Sequence, residues 1–225
     1  VGVMSTGDEL VDDGGPLKPG QIRDSNRRTL LSLLSGDAFE PVDLGLIADD
    51  ESAIEEALTR GARDCDAVIT SGGVSMGDFD YVKAVLKRIG DMRWMQIAIK
   101  PAKPLAFGTI DETPIFGLPG NPVSCTVVFL TLLRPWLKKV QGESESNLFL
   151  PTIQALLDED FTKKHGRAEF FRMQLHRENN KYLAKRTGSQ SSAWMSSISQ
   201  GDGLFYVNST PNQHLTKGMN INISL

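Results

Sequence analysis

Short apolar runs alternate with stretches whose apolar positions recur every three or four residues, and this alternation fills about the first 140 residues. Residues 1–6 (VGVMST), 39–47 (FEPVDLGLI) and 66–71 (DAVITS) read as buried strands. Between them, residues 24–36 (DSNRRTLLSLLSG) predict a helix with Asp24 or Ser25 as N-cap and Gly36 as the C-terminal stop. Residues 49–63 predict a second helix, with Ser52 and Glu55 as a capping box, Ile54, Ala57 and Leu58 on one face, and Asp50 as a competing cap. Residues 80–90 predict a third, with Val82, Val85, Leu86 and Ile89 on one side. Three more apolar runs, 94–100, 105–110 and 114–118, read as strands. Residues 121–140 predict one long apolar helix, with Asn121 as N-cap and Pro122 in its first position. Strands alternating with helices argue for an α/β unit on a mainly parallel sheet.

The pattern changes at residues 141–147 (QGESESN), a polar linker. Beyond it the period is two. Residues 167–177 and 181–187 flank Glu178-Asn179-Asn180, a hairpin signal, and 203–208 and 219–225 are further strands. The chain therefore divides into an α/β domain at 1–142 and a small all-β barrel at 147–225.

Composition narrows the function. The net charge of −4 disfavours general attraction to nucleic acid or to an acidic membrane surface. No apolar run approaches the roughly 20 residues that a membrane helix needs. Cys65 and Cys125 lie in apolar stretches and read as reduced residues of a cytoplasmic protein. His165, His176 and His214 show no zinc-ligand spacing.

Four polar loops leave the carboxyl ends of the predicted strands, where open parallel sheets bind ligands. They are residues 5–10 (STGDEL), 47–52 (IADDES), 70–82 (TSGGVSMGDFDYV) and 117–124 (GLPGNPVS). Ser71, Gly72, Gly73 and Ser75 offer backbone N–H groups and hydroxyls suited to phosphate, as do Pro119-Gly120-Asn121 and Ser124 at a helix start. The acids Asp8, Glu9, Asp49, Asp50, Asp78 and Asp80 would repel an anion by themselves; with a phosphate they suggest a bridging Mg²⁺. Asp50 and Asp78 fit simple helix caps, and Lys100 and Lys103 in KPAKP supply two cations.

These loops, together with Asp24-Ser25-Asn26, occur in an order and spacing that resemble the MoeA family of molybdopterin molybdenumtransferases, to which plant Cnx proteins and the E domain of gephyrin are related. SGGVSMGDFDY combined with GLPGNPVS carries most of that resemblance. It implies a MogA-like α/β domain followed by the family's C-terminal β domain. It also implies insertion of molybdate into adenylylated molybdopterin with Mg²⁺ and release of AMP. Glu9, Asp49 and Asp80 match the family's functional acids and would hold Mg²⁺ or act at the adenylate. Lys100, Lys103 and Ser124 match residues implicated in oxyanion binding; Arg172 and Ser192 match an arginine and a serine of the β domain with the same role. Ala102 and Ser191 stand where relatives commonly have glycine, and Gln96 where some have lysine. Ala102 would be strained if its position needs positive φ. The resemblance further implies a homodimer and a MogA-type adenylyltransferase as a partner. It makes the chain a piece lacking the family's N-terminal domains and inactive alone. The alternative is a non-catalytic scaffold of the gephyrin E-domain type.

Overall fold

The computed structural model describes residues 1–73 and 80–225. By its internal contacts the chain forms two compact units. The first comprises 1–97 and 103–126, the second 98–102 and 127–225.

The first unit is built on strands β1 (Gly2–Thr6), β4 (Val42–Ile47), β5 (Val68–Ser71), β6 (Asp91–Gln96), β8 (Pro104–Ile110) and β9 (Thr113–Leu118). A two-residue pair, β2 (Leu10–Val11) and β3 (Ile22–Arg23), stands apart from the sheet. The helices are α1 (Ser25–Gly36), α2 (Glu51–Asp64) and α3 (Tyr81–Ile89). Strand order is β4-β1-β5-β9-β8-β6. The pairings β1–β4, β1–β5 and β5–β9 are parallel; β8–β9 and β6–β8 are antiparallel. The sheet is thus mixed, and the reason is connection length. Parallel neighbours need a crossover of a dozen or more residues, whereas only Asp111 and Glu112 join β8 to β9, with Asp111 at φ 51°. Beneath the sheet Met4, Val68 and Ile115 pack with Ile54, Leu58, Val82, Val85 and Leu86 from α2 and α3, all at most 1% exposed.

Capping side chains fix where these helices start. Asp24 caps α1 and accepts from Arg27 N–H; Asp50 caps α2 and accepts from Ala53 N–H; Asp80 caps α3 and accepts from Lys83 N–H. The expected Ser52–Glu55 capping box does not form, because Asp50 takes the cap and places Ser52 inside the first turn. Gly36 is the last residue of α1, and the left-handed conformation falls on Ala38 (φ 63°).

The predicted helix over 121–140 is three consecutive pieces: α4 (Pro122–Val128), a π-helical turn (Phe129–Leu133) and α5 (Arg134–Val140). In the wide turn Arg134 N–H reaches back to Phe129 O. Pro135 lacks the N–H that an unbroken α-helix would use here, so the register shifts just ahead of it.

The second unit contains β7 (Ile99–Lys100), β10 (Thr152–Leu157), β11 (Phe161–Lys163), β12 (Ala168–Glu178), β13 (Lys181–Arg186), the short helix α6 (Ser196–Ser199), β14 (Gly203–Val207), β15 (Gln213–Leu215) and β16 (Asn220–Ser224). Pairing runs β13-β10-β16-β14-β12, and β12 pairs back onto β13, so these five strands close a barrel. β7 adds to β12 in parallel. Phe171, Met173, Ala184, Phe205, Val207, Ile221 and Ile223 fill the interior. The β12–β13 hairpin turns at Asn179 (φ 48°) and Asn180 (φ 64°), the two positive φ values of a type I′ turn, which asparagine tolerates.

Candidate functional site

In the first unit the parallel register determines what meets what. Thr6 pairs with Ile47, Ser5 with Ser71, and Ser71 with Leu118, so β1, β4, β5 and β9 end in one row. The chain leaves β1 for β4 on one side and later reaches β5 on the other, so the order reverses here. Ligands of open α/β sheets bind at such a reversal, outside the carboxyl ends of the strands.

The glycines of these loops are held by geometry. Gly72 and Gly73 have φ of 91° and 69°. A Cβ on Gly73 would lie 2.4 Å from Val82 Cβ. Gly72 N–H donates to Leu118 O at 3.3 Å, and Gly120 is close enough that a Cβ there would sit 3.9 Å from Gly72 Cα. Asn26 closes this arrangement. Its Nδ2 donates to Ser71 Oγ at 2.8 Å and to Gly120 O at 2.7 Å, tying the loop after β5 to the loop after β9. Beneath it Ser5 Oγ donates to Asp24 Oδ1 at 3.0 Å. Asp24 and Arg27 form a buried ion pair, and Arg27 also reaches Asp12 and Asp43. Cys125 Sγ lies 3.9 Å from Ser71 Oγ, and burial pushes its thiol up to about 12. Sequence reasoning gave Asn26 no role beyond a motif position, because its partners are 45 and 94 residues away.

The acids lie at the same edge. Asp8 and Asp49 clasp each other: Asp8 N–H donates to Asp49 Oδ2 at 3.3 Å, and Asp49 N–H to Asp8 Oδ1 at 3.2 Å. The Asp49 carboxyl is raised above its ordinary value, first by burial and further by the negative charges of Asp8, Glu9 and Asp80, against the lowering effect of the Asp8 N–H bond. Glu9 is exposed, and Asp80 is half-buried, its Oδ1 accepting from Lys83 N–H at 3.1 Å. The cap of α3 is therefore Asp80. Ser75 and Asp78, the other residues expected to act in this loop, lie outside the described residues. Glu9, Asp49 and Asp80 were expected to ligate a metal together. Among the described residues no three His, Cys, Asp or Glu side chains form a group that could hold one. The chemistry still favours a hard cation: the carboxylates repel one another, and Mg²⁺ is commonly held by one or two carboxylates plus substrate phosphates rather than by an all-protein cage.

Pro119 is buried, Gly120 and Asn121 are exposed, and Ser124 is 3% exposed in the first turn of α4, where Cys125 N–H donates to Asn121 O at 2.9 Å. Lys103 is exposed in the first unit, whereas Lys100 belongs to the second. Lys100 Nζ lies 2.9 Å from Glu169 Oε1. Ala102 adopts φ 125°, so the alanine of KPAKP does occupy a conformation that favours glycine.

Arg172 is not an open anion-binding fork. It is 1% exposed, with Nε donating to Ser197 Oγ, one terminal nitrogen to Phe170 O and the other to Ser191 O. Burial lowers its pKa to about 10, against the attraction of Glu169, which leaves it cationic at neutral pH. Its guanidinium clamps the segment that carries Ser192, which is half-buried in the turn before α6.

The fold is an α/β domain with glycine loops and carboxylates at its strand ends, followed in the chain by a small β-barrel. Residues 2–139 match the family described as "Probable molybdopterin binding domain", and residues 154–224 match "MoeA C-terminal region (domain IV)". The chain belongs to the MoeA family. It is 46% identical over 172 residues to a molybdopterin molybdenumtransferase of Haemophilus influenzae, covering 76% of this chain and 42% of that protein. It is 33% identical to gephyrin of Dictyostelium discoideum, covering 97% of this chain and 35% of that one. The crystal structure of a molybdopterin biosynthesis MoeA protein from Pyrococcus horikoshii superposes with a TM-score of 0.80 at 28% identity, covering all of this chain and 53% of that one. The chain spans about half or less of the length of these relatives.

Proposed function

We propose that this chain supplies the substrate-binding part of a molybdenum-cofactor transferase, one that inserts molybdate into adenylylated molybdopterin and releases AMP. The observation that carries this reading is the single row of strand ends, with two glycine loops locked together by Asn26 beside the Asp8–Asp49 clasp.

Each group has a chemical part. The backbone of Gly73 and Gly120, with Asn121, meets phosphate oxygens, and Gly72, with the buried Ser71 and Ser124, shapes the two loops behind them. Glu9, Asp49 and Asp80 face the adenylate end, and one or two of them would hold Mg²⁺. Bound there, Mg²⁺ supplies charge neutralisation of the phosphate and polarises it toward attack. The negative charges of Asp8, Glu9 and Asp80 bear on the Asp49 carboxyl, so this edge suits a cation rather than a bare anion. Lys103 in the first unit supplies a cation for an oxyanion, and within the second unit Lys100 and Ser192 supply a cation and a hydroxyl for the same class of ligand, while Arg172 shapes the segment that carries Ser192.

The protein acts in the cytoplasm as a homodimer and receives its substrate from a MogA-type adenylyltransferase; it engages neither nucleic acid nor membrane. Among the described residues no helix is long and apolar enough to cross a membrane. The test is AMP release from adenylylated molybdopterin, molybdate and Mg²⁺ by the full-length gene product. Asp49→Asn with Asp80→Asn should abolish it. Unchanged release would overturn this reading, and a scaffold role would survive that double substitution.

A further inference from the structure

The strand β7 is tied to the barrel by a set of polar side chains of which the reading above gives a task to Lys100 alone. Lys100 and Glu169 are register partners in the parallel β7–β12 pair. Glu169 is 2% exposed, so its carboxylate sits inside the protein while the Lys100 side chain remains 36% exposed. Glu169 Oε1 lies 2.9 Å from Lys100 Nζ, and Oε2 lies 2.8 Å from His165 Nε2.

The histidine's role is set by its other nitrogen. His165 Nδ1 accepts from Arg167 N–H at 3.3 Å, so the neutral ring carries its proton on Nε2 and donates it to Glu169. The loop is anchored from below by Lys163, 1% exposed, whose Nζ donates to His165 O at 2.6 Å and Arg167 O at 3.0 Å. Arg167 in turn donates to Ile99 O at 3.2 Å, on the strand that bears Lys100. The carboxylate is therefore held at Oε2 by a braced histidine while its Oε1 faces the ammonium. An ammonium has three donors. The Lys100–Glu169 contact is a 2.9 Å ion pair in which Glu169 Oε1 accepts no hydrogen bond among the described residues, so it places the ammonium by charge and leaves its donors for a ligand.

We infer that Glu169 is a positioning residue, braced by His165, that holds Lys100 in place to bind a tetrahedral oxyanion. This rests on the reading of Lys100 as an oxyanion ligand and adds the residues that make that lysine rigid. A carboxylate beside an anion-binding cation should weaken the anion by simple charge. The proposal requires the opposite sign, because the gain in order exceeds the repulsion.

The test is titration of the chain with tungstate, as an inert tetrahedral dianion, by calorimetry at fixed ionic strength, with a thermal melt of each variant. Lys100→Ala should weaken binding about tenfold. Glu169→Gln, which keeps shape and an acceptor and so preserves the fold, should weaken it about threefold or more. His165→Phe should weaken it about twofold. The Lys100→Ala, Glu169→Gln double variant should bind no worse than Lys100→Ala alone, since a positioning residue has nothing left to position. Unchanged or tighter binding by Glu169→Gln, with Lys100→Ala still weak, would overturn the role given to Glu169, as would additive losses in the double variant or a melt that falls while affinity stays. If Lys100→Ala binds normally, or the unmutated chain binds no tungstate, the reading of Lys100 itself fails, an outcome distinct from the first.

Discussion

Replacing Asn26 tests the architecture of the candidate site directly. Its amide nitrogen donates at 2.8 Å to Ser71 Oγ and at 2.7 Å to Gly120 O. A hydrogen bond contributes a net of about 0.5–1.5 kcal/mol, and more is lost when a buried partner is orphaned. Gly120 is exposed, so its carbonyl regains water; Ser71 is 3% exposed, and its other partner among the described residues is the weak Cys125 thiol, so it does not. Asn26→Ala should therefore destabilise the first unit by about 2 kcal/mol, near the middle of the range for two bonds. Asn26→Asp is the sharper variant. It is the same size, but at neutral pH it is an acceptor only. The Ser71 hydroxyl can turn to donate; the Gly120 carbonyl cannot, and it would face a carboxylate. Asn26→Asp should cost at least as much as Asn26→Ala at pH 7 and recover part of the loss in acid, where the carboxyl carries a proton. Urea unfolding followed by circular dichroism gives the free energies. Amide exchange at Gly72, whose N–H bonds across to Leu118 O, gives the local effect and should accelerate in both variants. If Asn26→Asp matched the unmutated protein within about 0.5 kcal/mol, the amide would not be the bridge between the loops.

Further outcomes follow from other groups. Gly73→Ala should destabilise by about 2–5 kcal/mol in denaturant unfolding, combining roughly 1–2 for a side chain at positive φ with about 1–3 for overpacking against Val82. Arg27→Ala should cost about 3–5 kcal/mol, because it strands buried Asp24, whereas Arg27→Ala with Asp24→Ala should be milder in the same assay. Asp49 has a folded-state pKa above its unfolded value of 3.8, so folding binds its proton more tightly and stability falls as pH rises through that window. Asp49→Asn should accordingly raise the melting temperature at pH 7 while eliminating AMP release. Alkylation of native protein at pH 8 should modify Cys65, which is half-buried, slowly, and leave Cys125 untouched until unfolding, as peptide mass spectrometry would show.

The apolar runs announced most strands because burial on both faces demands continuous apolar side chains. The caps Asp24 and Asp50 follow from local chemistry, although Ser52 offered a competing signal that position alone decided; for α3 the expected cap was Asp78, and Asp80 takes that place. The antiparallel β6, β8 and β9 were readable in principle, since no helix separates them; the expected alternation concealed it. Residues with two to three neighbours in a strand, such as β2, β11 and β15, carry too short a pattern to register. What no local pattern could show is pairing at a distance: Asn26 with Gly120, Lys100 with Glu169, and Arg172 turned inward on Ser191 and Ser197 instead of outward. The sequence of Arg172 is the same for a clamp and for an anion fork; only its burial separates them.

The allegiance of residues 98–102 has a consequence for how this chain can be divided. They lie within the sequence of the first unit yet pair with the barrel, so no single cut yields both units whole. A barrel expressed from residue 147 onward would lose its added strand and leave the Ala168–Glu169 edge bare, with a buried carboxylate deprived of its ammonium. Grafting or exchanging the barrel between relatives is thus a two-junction operation. Any chimera that respects only the linker would carry one protein's lysine against another protein's glutamate.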